Sequence, residues 1–167
     1  MGNEMKLTAV EVYFLGKYMG AKYIDYQYIS EMPGIQENYL VHEQNALESL
    51  KKKKVIGRKF SGEIRFPEET RQLFEPVFFG KKESKLENEE VYRIHILDGR
   101  MTMGRIEGEE ILFCRVYEED IAELLKGNVK VICADVENGM SEKSFSEDQL
   151  LQSECREAAM KMLKGEV

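Results

Sequence analysis

Tyr92-Arg93-Ile94-His95-Ile96-Leu97-Asp98-Gly99-Arg100-Met101-Thr102-Met103-Gly104-Arg105-Ile106-Glu107-Gly108-Glu109-Glu110-Ile111-Leu112-Phe113-Cys114-Arg115-Val116 decides the fold. It holds two turn signals, Asp98-Gly99 and Glu107-Gly108, each between β-prone runs. If both are two-residue turns, the register follows by counting. Leu97 faces Arg100, Ile96 faces Met101, Ile94 faces Met103 and Tyr92 faces Arg105. In the second hairpin Arg105 faces Glu110, Met103 faces Leu112 and Met101 faces Cys114. One face then carries Ile94, Ile96, Met101, Met103, Leu112, Cys114 and Val116, with an Arg105–Glu110 ion pair at its end. The other carries Arg93, His95, Arg100, Thr102, Gly104, Ile111, Phe113 and Arg115. A single register sorts apolar from polar across three strands, and a slip of one residue would undo it. An antiparallel meander is therefore expected at the centre of the fold.

Working outward, Thr8-Ala9-Val10-Glu11 reads as a capping box that opens a helix ending near Gly20. Residues 21–34 are Tyr-rich and close on Met32-Pro33-Gly34, a turn signal. A second helix is expected from about Gln36 to Lys53, with lysines at its negative pole. Ser61-Gly62 reads as the tip of a small hairpin, and Pro67-Glu68-Glu69 as the start of a helix bent or ended at Pro76. The charged segment 80–90 reads as a mobile loop, with room for a short edge strand, between two halves. Downstream, a helix fits 118–126, a strand fits 129–134, Asn138-Gly139 is a turn, and Ser146-x-x-Gln149 caps a last helix. The expected architecture is α+β: an antiparallel meander packed against several helices in one domain, residues 1–80 mainly helical and 91–167 sheet with helices.

Composition excludes several classes of function. The chain has 167 residues, 43% hydrophobic and 33% charged, which describes a folded globular protein. No apolar run approaches the length of a membrane span, and the N-terminus lacks a signal-peptide core, so a cytoplasmic protein without membrane insertion is expected. Lys6 stands where a myristoylation signal needs Ser or Thr. Cys114, Cys133 and Cys155 form no C-x-x-C pair, which argues for reduced thiols and against a zinc site or disulfide framework. The net charge of −7 opposes binding to nucleic acid. The exception is Lys51 to Arg65, where seven basic residues and one acidic residue give a local +6.

Catalytic signals are sparse. His42 sits beside Glu43 on a helix without a metal-binding partner at i+4, and His95 lies on the polar face of the meander. No nucleophile elbow, P-loop, dinucleotide fingerprint or H-E-x-x-H pattern occurs. Asp135-Val136-Glu137-Asn138-Gly139 fails the calcium-loop spacing, and Glu118-Glu119-Asp120 fits a helix start. No catalytic residue, metal or cofactor is expected, and the chain reads as a binding protein, not an enzyme.

Two binding readings follow. In one, the order helix, helix, basic segment, hairpin makes a winged-helix DNA-binding regulator, with residues 38–53 against DNA and Ser61-Gly62 as the wing. The other comes from a resemblance. Leu7-Thr8-Ala9-Val10-Glu11-Val12 is followed by Pro33-Gly34 before a long helix ending Ala46-Leu47-Glu48-Ser49-Leu50, then a lysine-rich turn and Val55-Ile56-Gly57. That succession resembles the N-terminal half of the EspG-type chaperones of type VII secretion. Phe66-Pro67-Glu68-Glu69 through Phe78-Phe79 and the meander from Tyr92 to Val116 fall in matching order. EspG-type chains are commonly two quasi-equivalent halves, and this chain corresponds to one.

The resemblance implies a non-catalytic cytoplasmic chaperone that escorts a helical secreted effector, with two copies forming a homodimer in place of the two halves. It carries over no partner-binding residue. Those are read from the meander itself: Ile111 and Phe113 as apolar anchors, rimmed by Arg93, His95, Arg100 and Arg115.

Overall fold

Thr8 ends one element and begins the next. In the computed structural model, which describes residues 3–30, 32 and 34–166, Glu4–Thr8 is an edge strand, β1, and Thr8 caps helix α1, Ala9–Met19. Met1-Gly2, Glu31, Val167 and Pro33 of the expected turn lie outside the described residues. The capping box forms as expected: the Glu11 amide donates to Thr8 Oγ1 (3.2 Å) and the Thr8 amide to Glu11 Oε1 (2.9 Å). Glu11 also fastens α1 to α3, Tyr39–Lys52, because Ser49 Oγ and Lys53 Nζ each donate to its carboxylate at 2.8 Å. Burial opposes the charge of Glu11, but Lys53, the Thr8 amide and Ser49 outweigh it and hold its pKa below the ordinary value. Gly20 ends α1 at φ +91°, and a short α2, Tyr26–Ile29, follows, capped by Asp25.

The small hairpin forms from β2, Gly57–Arg58, and β3, Ile64–Arg65. The next helix, α4, runs Glu68–Phe79, and Pro76 lies inside it without ending it. Beyond α4 come β4 (Lys82–Glu87), β5 (Val91–Leu97), β6 (Arg100–Glu107), β7 (Glu110–Val116), α5 (Glu118–Leu124), β8 (Val129–Asp135), β9 (Gly139–Phe145), α6 (Glu147–Leu150) and α7 (Ser153–Leu163). Among the described residues seven strands make one antiparallel sheet, ordered β1-β7-β6-β5-β4-β8-β9. The fold is therefore α+β, an antiparallel sheet packed against helices. No described helix is long and apolar enough to cross a membrane.

Three expectations need correction. The segment 80–90 contains β4, an interior strand hydrogen-bonded to both β5 and β8. It hides from hydrophobic patterning because only Ser84 and Leu86 point into a core, while Glu83, Lys85 and Glu87 occupy the opposite, incompletely covered face. The second hairpin turns at Gly108-Glu109, so Glu107 faces Glu110, Arg105 faces Leu112 and Met103 faces Cys114. Gly108 has φ +64° and occupies the first central position, as a type II′ turn demands. This slip of two residues preserves both faces, but it pairs Arg105 with Glu107 and Glu90 instead of Glu110. The first hairpin keeps the counted register, with Asp98 and Gly99 both at positive φ. Finally, β1 and β9 are strands in stretches to which the sequence assigns no strand: Leu7 counts with the first helix, and 139–145 falls in a connection.

The sheet carries a core on each side. Ile94, Met103, Cys114 and Val116 pack with Leu86, Val131, Ile121, Leu150 and Leu163 beneath α5–α7. On the other side Leu7, Ile111 and Phe113 pack with Val12, Leu15, Tyr28, Leu50, Leu73 and Phe74 from α1–α4. The face expected to be a partner surface is covered by the chain's own N-terminal helices from β1 to β5, where Thr102 Oγ1 donates to the Leu73 carbonyl of α4 at 2.6 Å.

Candidate functional site

The helical layer stops short of the sheet's far edge. Over β4, β8 and β9 that face carries no helix among the described residues, and the step between covered and bare sheet is a cleft of about 1040 Å³. Gly20 to Asp25 and the C-terminal end of α4 with Gly80 and Lys81 form its wall. Glu83, His95, Ala134 and Met140 form its floor, and Val136 stands on the β8–β9 turn. Tyr23, Phe79, Val136 and Met140 are all exposed, so the rim presents apolar side chains to solvent. Such a cluster differs from an isolated surface apolar residue.

At the inner end of the floor, Asp25, Glu83 and His95 bring one ligand-type atom each to within 4.8 Å of the others. Register places Glu83 directly opposite His95 across β4 and β5. Asp25 arrives from the loop before α2, where its Oδ1 accepts the Gln27 amide at 3.0 Å. His95 is 4% exposed, and its Nε2 is 2.6 Å from the hydroxyl of Tyr28, itself 2% exposed. Arg93 Nε lies 3.7 Å from Asp25 Oδ2 and 4.0 Å from Glu83 Oε1, an ion-pair range beyond hydrogen-bonding distance.

Burial dominates the electrostatics. It pushes Glu83 up to about 8, reinforced by a carboxyl–carboxyl hydrogen bond and the like charge of Asp25, with Arg93 and Lys85 opposing. It pushes His95 down to about 4, Asp25 opposing and Arg93 assisting, so the imidazole is neutral at pH 7. Burial likewise raises the Tyr28 phenol well above its usual range. At neutral pH Glu83 therefore keeps its proton, beside a neutral imidazole and the Arg93 guanidinium.

A stability profile should register this arrangement. Glu83 keeps its proton in the folded state up to about 8, whereas the unfolded chain releases it near 4.5. Its contribution is thus complete below 4.5 and lost as pH rises through about 8. For His95 the sign is opposite: its contribution is complete above 6.5 and lost as pH falls through about 4. The two oppose each other between 4.5 and 6.5, and Glu83 alone acts above. Denaturant unfolding in metal-free buffer is expected to show stability declining from pH 6.5 to 8, with Glu83→Gln flattening the decline. A wild-type profile flat over that interval would contradict the assignment.

The structure distributes the six expected partner-binding residues among different places. Arg93 and His95 join the cluster just described. Ile111 and Phe113 are interior, with Phe113 0% exposed, so they offer no free surface. Half-buried Arg100 faces α4, 3.7 Å from Glu75. The Arg115 guanidinium lies over the Tyr117 ring at 5.2 Å. The physical reason is that two helical layers, not one, cover the sheet, so alternation marked two cores instead of a core and a surface. Asp25, Glu83 and Tyr28 escaped the sequence reading because they come from a loop, a segment read mainly as a mobile loop and a four-residue helix. Reading 82–87 as a strand paired with β5 would have set Glu83 against His95. No protein-family model matches the chain, and no curated protein matches its sequence.

Proposed function

We propose that the chain is a non-catalytic adaptor that receives an amphipathic helix of another protein in the cleft between its N-terminal helical layer and the bare half of the sheet. The observation carrying this reading is the exposed apolar rim, Tyr23, Phe79, Val136 and Met140, around a concave site at the margin of a helical layer. A docked helix would continue that layer, its apolar face meeting the rim. Exposed Lys22 and Lys81 on the wall favour acidic residues flanking the apolar stripe. The EspG-type resemblance supplies the setting, a helical type VII secretion substrate held in the cytoplasm before export. Pairing of two copies through the exposed edge strand β9 belongs to the same reading.

Co-expression with the helical type VII substrates of its own host tests it. A soluble complex is expected, with exchange protection at 20–25, 77–83 and 134–140. Phe79→Asp combined with Met140→Glu is expected to weaken it at least tenfold, about 1.4 kcal/mol or more. No complex with any substrate, or one indifferent to both changes, would refute the proposal.

One observation favours the DNA-binding alternative. A basic hairpin does follow α3, and Phe60 is fully exposed near its tip. However, Lys53 is engaged by Glu11 and the Lys6 carbonyl, and Lys59 lies 3.8 Å from Glu63, which depletes the basic run available to phosphates. A salt-sensitive DNA mobility shift would decide for that alternative.

A further inference from the structure

We infer that Asp25, Glu83 and His95 form a binding site for one divalent transition-metal ion, zinc being the best match, at the floor of the cleft. Two carboxylates and an imidazole are a donor set that zinc accepts, with oxygen and nitrogen ligands at about 2.0–2.2 Å. Ligands of a tetrahedral ion with such bonds stand about 3.3 Å apart. Donors already within 4.8 Å of one another need to close by at most about 1.5 Å. Tyr28 fixes the imidazole: its hydroxyl engages Nε2, leaving Nδ1 as the ring nitrogen for the ion. With Nδ1 ligated, the ring proton sits on Nε2 and is donated to the Tyr28 oxygen, the outer-sphere arrangement that orients metal-bound histidines.

The carboxylates are equally placed. Asp25 Oδ1 is occupied by the Gln27 amide, and its Oδ2 lies on the Arg93 side, too far from Nε for a hydrogen bond. Glu83 is farther still from that nitrogen. Arg93 therefore neutralises part of the pair's charge without closing off its oxygens. The cleft supplies the entry path, and because the chain offers three ligands, water completes the coordination. Buried Cys133 and half-buried Cys155 do not belong to this cluster, so its first shell contains no sulfur.

Equilibrium dialysis of the full chain against Zn²⁺, with X-ray absorption on the loaded protein, tests this site without any protein partner, so its outcome is separate from that of helix docking. Expected are one Zn²⁺ per chain, bound with a Kd of about 10 μM or tighter, and an oxygen/nitrogen shell with one imidazole. Asp25→Asn and Glu83→Gln are each expected to weaken binding at least tenfold, and His95→Gln to remove the imidazole signature. Tyr28→Phe keeps the buried ring and is expected to cost about 10–100-fold in affinity. If a variant fails to fold, the spectrum of the loaded wild-type chain decides. Absence of binding at 100 μM Zn²⁺, sulfur in the first shell, or full affinity in a folded Asp25→Asn variant would overturn the inference.

Discussion

Replacing Phe113 by Ala is expected to lower stability by about 3–5 kcal/mol, among the largest losses from one truncation in this chain. Phe113 is fully buried on β7 and meets two rings edge to face, Phe74 at 5.1 Å and Tyr28 at 5.2 Å. It thus ties three elements together, since Phe74 belongs to α4, Tyr28 to α2, and Phe74 stacks further on Phe78 at 6.0 Å. Truncation removes apolar burial, leaves a cavity the rigid sheet cannot close, and forfeits both edge-to-face contacts. For a chain of this length the midpoint of thermal unfolding should drop on the order of 10 °C. Arg115→Ala, on the same strand but stacked on an exposed tyrosine, is expected to shift it far less. Equal effects from the two changes would mean that Phe113 does not sit in a closed core.

Gly104→Ala should be comparably damaging by the opposite route, overfilling. A Cβ at this position would collide with the Tyr28 hydroxyl and stand 2.7 Å from its Cζ. Retreat of Tyr28 is opposed by Phe113, which packs against its ring, and by His95, which engages its hydroxyl. Either the sheet shifts, at about 1–3 kcal/mol, or Tyr28 withdraws and the buried Tyr28–His95 bond is lost, at a similar further cost. The two sites are in contact, so their effects should not add. Gly104→Ala should be at least about 1 kcal/mol milder in a Tyr28→Phe background, where the colliding oxygen is gone. Strict additivity in a double-mutant cycle would show that the two residues do not touch. Because Tyr28 also orients His95, Gly104→Ala is expected to disturb the cleft floor without lining it.

How much of this was legible in the sequence depended on whether the signal was local. The Thr8–Glu11 and Ser146–Gln149 capping boxes appear where their spacing placed them, because a cap is made by four consecutive residues. Asp98-Gly99 fixed its hairpin for the same reason. Glu107-Gly108-Glu109 is compatible with two turn registers that bury the same residues, so alternation cannot choose between them, and the chain adopts the one with Gly108 at the first central position. Segment 80–90 reads as a loop with at most a short edge strand because cross-strand neighbours on both sides, not apolar content, make β4 an interior strand. The candidate site was the least legible part. Its three ligand-type residues come from separate elements, and nothing near His95 in the chain reveals that Glu83 stands opposite it.

The interior place of β4 also bears on how the chain is made. Synthesis delivers β4 and its partner β5 well before residues 129–135, which complete its second edge. Until then a nascent chain at the ribosome displays an open row of backbone donors and acceptors, the kind of edge that invites pairing between molecules. Glu83, Lys85 and Glu87 line that temporary edge with charge of both signs, so the residues that disguised the strand also act as gatekeepers while it waits for β8.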